Sequence, residues 1–243
     1  MSSRTLSLSL LVLLCAAFPA QLFRVGLAMT LGPAPGAGKI LAQLRRLWLP
    51  GAFLLVAGLV WYVAPASGVL AAPVAWWWCA VAVAVGLAAP GVEVGVGAAT
   101  ALARGRRPVR VRLHERWQRG GAAGGLAVTT ALLVAVAEEV IFRGVGLYLL
   151  RHELAMPAVL AVAVAALVYA LNHLYFGWLT VGQKLVTGVL FGWLFLASGG
   201  SVLVPVLAHV AQNVLVVAVL PRWFGGGSAG RPAADQQPQR VPQ

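Results

Sequence analysis

Charge is what this sequence has least of. Of its 243 residues only 10% are Asp, Glu, Lys or Arg, against 60% apolar, and the mean hydropathy is +0.87. A soluble domain needs about 25% charged residues to cover its surface. A water-facing globule is therefore excluded, and the main solvent of this chain is lipid. Acidic residues are scarcest: Glu93, Glu115, Glu138, Glu139, Glu153 and Asp235 are all there are. Against 18 Lys and Arg they leave a net charge of +12. In a soluble protein that excess would suggest nucleic acid, but in a membrane protein it is how cytoplasmic loops are marked. Cysteine is nearly absent as well. Cys15 and Cys79 both lie inside apolar runs, which excludes a disulfide framework and a CxxC metal site.

What is present is long apolar runs. Stretches of about 20 apolar residues cross a bilayer as helices, because lipid offers the backbone no hydrogen-bond partners. Seven runs fit, at 6–23, 47–64, 73–96, 125–149, 156–175, 183–198 and 201–221. The sixth is short, and the third continues weakly through Gly and Ala to Ala103. The expected fold is all-α, a polytopic transmembrane helical bundle of about seven spans. If the chain starts outside, 14 of the 18 basic residues fall on the inner side, in the first loop, in the basic segment Arg104–Gly120 and in the tail. Lys184, at the inner start of the sixth run, makes 15, so N-out/C-in is favoured. Arg4, the run Leu6–Phe18 and the small residues near Ala20 resemble a signal peptide. No lipobox precedes Cys15, and an uncleaved first helix is preferred.

The chain thus divides into N-terminal helices with a basic loop (1–120), a helical core (121–221) and a Gly-, Pro- and Gln-rich tail (222–243) expected to be disordered. The basic loop reads as a solvated face touching anionic headgroups, with no nucleic-acid partner. Trp76, Trp77 and Trp78 read as an aromatic belt anchoring the third span.

Two of the six acids stand side by side in the fourth run, LLVAVAEEVIFRGVGLYLL. A charge at bilayer depth costs roughly 2.5–3.5 kcal/mol on the insertion scale, so adjacent carboxylates there are an expensive choice. An ion-paired helix junction explains part of the pattern. Arg143, four residues after Glu139, shares its face and can pair with it. Glu138 lies about 100° around the helix with no cation near it in sequence, which suits it to take and return protons. Glu138 is the candidate base. His173, in LVYALNHLYF, has Tyr169 one turn earlier, and His209, in LVPVLAHVAQNVL, has Asn213 one turn later. A lone intramembrane His is often a packing residue. Two of them with an Asn and a Glu pair, on spans otherwise nearly free of polarity, mark a site. Glu93, in the Gly-rich stretch APGVEVGVGAAT, reads as interfacial.

These residues resemble the CPBP family, intramembrane proteases related to CAAX prenyl endopeptidases and to bacteriocin-processing or self-immunity proteins. Its first motif, two Glu with an Arg four after the second, stands as Glu138-Glu139-Val140-Ile141-Phe142-Arg143, followed by the typical Gly144. The second, an aromatic four before a His, stands as Tyr169 to His173, with Tyr where Phe is commoner. The third, a His four before Asn or Asp, stands as His209 to Asn213. The match runs from Thr129 to Asn213, and the first hundred residues add only compatible hydrophobicity.

The resemblance implies an intramembrane endopeptidase. Glu138 would activate water with help from His173. His209 and Asn213 would stabilise the oxyanion, while Glu139 and Arg143 hold the helix. It leaves the metal open, since members have been described both as metalloproteases and as glutamate proteases. No HExxH is present. Glu138, His173 and His209 would offer the three-ligand open site of a catalytic zinc. With Asn213 as a donor beside His209, metal-free chemistry is favoured and zinc kept as the alternative. The expected partner is a membrane-embedded or lipid-modified peptide or protein, cut near the bilayer boundary. An Ala-, Val-, Gly- and Arg-rich composition suggests a high-GC bacterium and its inner membrane. The competing readings are a non-proteolytic scaffold or immunity protein of the same fold, and a proton-coupled transporter. Against the last, no inverted repeat is visible.

Overall fold

The computed structural model describes residues 73–107 and 121–220, with a few isolated positions nearer the N-terminus. The first two apolar runs, most of the basic loop and the tail lie outside the described residues, so those readings stand as expectations. Among the described residues the structure is helical throughout. Five α-helices follow one another: α1 (Trp77–Ala103), α2 (Gly121–Glu139), α3 (Ala158–Leu171), α4 (Trp178–Ala197) and α5 (Leu203–Val214). They correspond to the last five runs. Two of them, Trp77–Ala103 and Trp178–Ala197, are long and apolar enough to cross a membrane.

The element boundaries differ from the sequence reading in three instructive places. The weak continuation of the third run is real helix, since α1 reaches Ala103 with Pro90 in its interior. Membrane helices accommodate such a proline where neighbours re-satisfy the backbone. The fourth run does not stay α-helical. Directly after Glu139 it becomes a π-helix over Val140–Leu147, and a second π segment covers Leu149–Glu153. The sixth run is not short. Its helix starts at Trp178, so the polar residues Thr180, Gln183 and Lys184, which mask its start in hydropathy, all lie within it.

The α3–α4 connection fixes where His173 sits. α3 ends at Leu171, a 3-10 turn covers Leu174–Phe176, and Gly177 takes φ 95°, a backbone only glycine adopts readily. The fifth helix therefore does not extend past Phe176, and His173 belongs to the turn. α4 closes in a Schellman-type end: Gly199 is left-handed at φ 80°, and the Gly200 N–H donates to the Phe195 carbonyl at 2.9 Å.

Packing is by small residues. On α1 the buried positions are Ala82, Gly86 and Ala89, one stripe at helical spacing, which meets Val204 and Ala208 of α5 and Phe191 and Leu194 of α4. A second cluster joins Leu147 and Leu150 to Ala161, Val162 and Ala165 of α3, with Phe195 and Val202. On α4, Gly188 and Gly192 stand one turn apart. A Cβ on Gly188 would come within 3.1 Å of Ala166 and Tyr169, and one on Gly192 within 3.0 Å of Val162. Lipid tails are as apolar as Leu, so membrane helices associate through this kind of close backbone approach. The outward faces fit that solvent: Val83, Leu87, Val94, Val159, Leu160 and Trp193 are exposed. Trp76 and Trp77 are exposed at the start of α1.

Gly86 tests this packing directly. A methyl there would overlap the Ala208 carbonyl oxygen, whereas at Gly91 on the same helix it would meet nothing within 4 Å. Gly86→Ala is expected to destabilise the bundle by about 1–3 kcal/mol, the usual range for overpacking. Gly91→Ala should be neutral or mildly stabilising. Detergent unfolding of the two variants beside wild type measures both.

Candidate functional site

The fold gathers the sequence-selected residues around one buried ion pair. Glu139 and Arg143 face each other across one turn, Nη1 to Oε1 at 3.1 Å, at 0% and 1% side-chain exposure. The i,i+4 spacing predicts this contact, and it survives although the π-helix begins between the two residues. Arg143 is committed on its other side too: Nη2 donates to the Gly188 carbonyl of α4 at 3.3 Å. Its guanidinium lies 4.3 Å from the centre of the Tyr169 ring and 5.9 Å from that of Phe191. One side chain thereby fastens the fourth segment to α3 and α4, and the absent Cβ of Gly188 leaves room for it.

Glu139 has a second function that the sequence did not disclose. Its Oε1 also accepts from His209 Nδ1 of α5, at 2.8 Å. Glu139 is paired with a guanidinium, so its carboxylate is ionised and the His209 nitrogen facing it carries the hydrogen. That leaves Nε2 as the working nitrogen of His209, and Nε2 faces Glu138 Oε2 at 3.9 Å. This distance is too long for a hydrogen bond and short enough for charge on one group to act on the other. Glu138 is buried, and its partner comes from α5, 71 positions along the chain.

His173 is held from α3. Its Nδ1 lies 3.1 Å from the Tyr169 carbonyl, which can only accept, so the hydrogen sits on Nδ1 and Nε2 keeps its lone pair. Tyr169 is the common neighbour of the group. Its ring lies edge-on to His173 at 5.0 Å between centroids, to Phe142 at 5.5 Å and to His209 at 6.4 Å. Asn213 is turned to another task than oxyanion binding alone: its amide Nδ2 donates to the Ala131 carbonyl of α2 at 3.0 Å. One N–H of that amide ties α5 to α2, and the second is the only one left for a ligand.

The possible metal ligands do not form a site as placed. Among the described residues no three His, Cys, Asp or Glu side chains converge closely enough to hold an ion. A zinc bound by Glu138, His173 and His209 would need all three donors within about 2.2 Å of one point. His209 Nδ1 is engaged with Glu139, and His173 Nδ1 with a backbone carbonyl. No step of the chemistry below passes through a metal.

The sequence reading missed a second polar cluster. Glu93 of α1 and Lys184 of α4, assigned to the interface and to the inner charge count, meet at 2.7 Å and are about four-fifths buried. The same Glu93 oxygen accepts from Gln212 of α5 at 3.0 Å. Glu93 was visible as a third acid in an apolar stretch, and Gln212 as a polar neighbour of Asn213. No local spacing links them, because the contacts span 91 and 119 positions.

The energetic weight of the central pair is measurable. Arg143→Met would strand an ionised Glu139 in the core, and breaking a buried pair costs about 3–5 kcal/mol. Adding Glu139→Gln should recover part of that loss, since the amide oxygen still accepts from His209. Unfolding in detergent of the single and double variants is the check.

Residues 122–215 match the family model described as type II CAAX prenyl endopeptidase Rce1-like. The match takes in α2 to α5, with both Glu, both His and Asn213, and covers less than half of the chain. No curated protein and no solved structure matches. Through this segment the chain belongs to the CPBP/CAAX protease family, as an integral membrane protein carrying an Rce1-like domain.

Proposed function

We propose that the domain is an intramembrane endopeptidase of glutamate type, hydrolysing a peptide bond in a membrane-embedded or lipid-modified substrate. The observation that carries this reading is the chain Arg143–Glu139–His209, which ends at the buried Glu138. Peptide hydrolysis needs a base beside the water and donors aimed at the charge that develops on the carbonyl oxygen. Glu138 is the base. It takes a proton from water as the oxygen attacks the scissile carbonyl, and returns it to the leaving amine.

The supporting roles follow from which nitrogens remain free. His173 presents Nε2 as an acceptor and helps to orient the water. His209, its Nδ1–H anchored on the Glu139 carboxylate, can hold a second proton on Nε2 and donate it to the oxyanion. Glu139 therefore orients and charges an imidazole, beyond bracing its own helix. Asn213 adds the amide hydrogen not spent on Ala131. A binding scaffold has no need of a base with a carboxylate-anchored imidazole beside it, which favours the enzyme over a non-proteolytic protein of the same fold.

The test is proteolysis by detergent-purified protein on a host membrane fraction, with new termini read by mass spectrometry. Glu138→Gln should lower cleavage by about 10²–10⁴, the usual contribution of a general base. His209→Ala should cost about 10²–10³, as removal of an oxyanion donor does. A chelator should leave the wild-type rate unchanged. Cleavage lost on chelation and restored by zinc would overturn the glutamate mechanism. Identical termini from wild type and Glu138→Gln would overturn the assignment of the base.

A further inference from the structure

The helix α1 lies outside the segment that matches the protease family, yet it grips α5 on both sides of His209. One grip is the close approach of Gly86 to the Ala208 backbone, directly before His209. The other is Glu93. Its Oε1 accepts from Gln212 Nε2 at 3.0 Å, three residues after His209, and from Lys184 Nζ of α4 at 2.7 Å. Thr187 Oγ1 approaches the same oxygen at 3.4 Å, and the Glu93 carbonyl takes a hydrogen bond from Gln183 Nε2 at 2.8 Å. Four side chains from two helices thus converge on one residue of α1. Gln212 is itself buried, so its amide needs a partner inside the bundle.

We infer that Glu93 is a positioning residue for the catalytic unit, setting the rotation of α5 through Gln212 so that His209 Nε2 faces Glu138. The inference rests on the protease reading for its kinetic consequence, but not for its structural content. His209 must satisfy two partners at once, Glu139 on Nδ1 and Glu138 opposite Nε2. An imidazole on a helix free to rotate about its axis would lose one of them. Ala208 fixes the distance between α1 and α5. Gln212, one turn further on, fixes the angle. Lys184 supplies the countercharge that lets an ionised carboxylate stay at this depth.

This assigns different consequences to the two properties of Glu93, its charge and its acceptor oxygen. In the pair Glu93→Gln/Lys184→Gln no charge is left stranded and the acceptor for Gln212 remains. In Glu93→Leu/Lys184→Gln no charge is stranded either, but the acceptor is gone. A third variant, Gln212→Leu, removes only the α5 arm and leaves the Glu93–Lys184 ion pair intact.

The experiment uses the full-length chain in micelles with 15N-labelled histidine. The His209 Nδ1–H resonance, assigned by its disappearance in His209→Ala, reports the hydrogen bond to Glu139 without any substrate. The Gln/Gln variant should keep that resonance. The Leu/Gln variant and Gln212→Leu should shift or broaden it. Where cleavage is measurable, the same two variants should lose kcat by roughly 10- to 100-fold, the scale of a small misplacement of a catalytic group. Their KM should stay within about twofold, because lost positioning spares ground-state binding. An unchanged His209 resonance in Gln212→Leu, or in a folded Leu/Gln variant, would overturn the inference. A disturbed resonance in a wild-type background that cleaves nothing would uphold Glu93 as the positioner and count against the protease reading alone.

Discussion

A guanidinium buried among helices is the constraint on which the other contacts depend. Arg143 cannot lose its charge, and at 1% exposure it has no water to turn to. Every group around it answers that demand. Glu139 supplies the opposite charge, the Gly188 carbonyl a second acceptor, and the faces of Tyr169 and Phe191 a polarisable lining. Because those partners come from three different segments, satisfying Arg143 assembles the bundle. Because Glu139 is then obliged to remain ionised, it is also a fixed anchor for His209.

This hierarchy explains which parts were legible in the sequence. Contacts one helical turn apart could be read directly: Glu139 with Arg143, and Tyr169 beside His173. So could the division of the Glu pair into a paired and an unpaired member. The cross-chain contacts could not. Nothing local says that His209 will meet Glu139 rather than Asn213, or that Asn213 will spend an amide hydrogen on Ala131. Polarity misled at the start of α4. Thr180, Gln183 and Lys184 depress the hydropathy there, and the run is read as short. They are helical because Glu93 of α1 receives Gln183 and Lys184, a partner invisible at that distance along the chain.

The small residues carry a second lesson. Composition showed many Gly and Ala and little charge, which settled the solvent but not the contacts. Their use is geometric. Gly86 brings α1 against the backbone of α5, and Gly188 with Gly192 brings α4 against α3. With no hydrophobic driving force between helices in lipid, such close contact and a few buried polar links must do the holding. Glu93 with its donors and Arg143 with its acceptors are two such links, and α1 takes part in the first.

The π segment after Glu139 has a consequence for how this helix changes over time. Its hydrogen bonds run from i to i+5, so each turn carries more residues than an α-turn and the phase of the helix advances within Val140–Leu147. Upstream, the phase aims Glu138 and Glu139 at α5. Downstream, it aims Leu147 and Leu150 at the apolar surface of α3. The two ends of one membrane helix are thereby set independently, like two dials joined by a slipping clutch. Substitutions or single-residue length changes that retune the apolar end can be absorbed between them, without turning the carboxylates away from the imidazole.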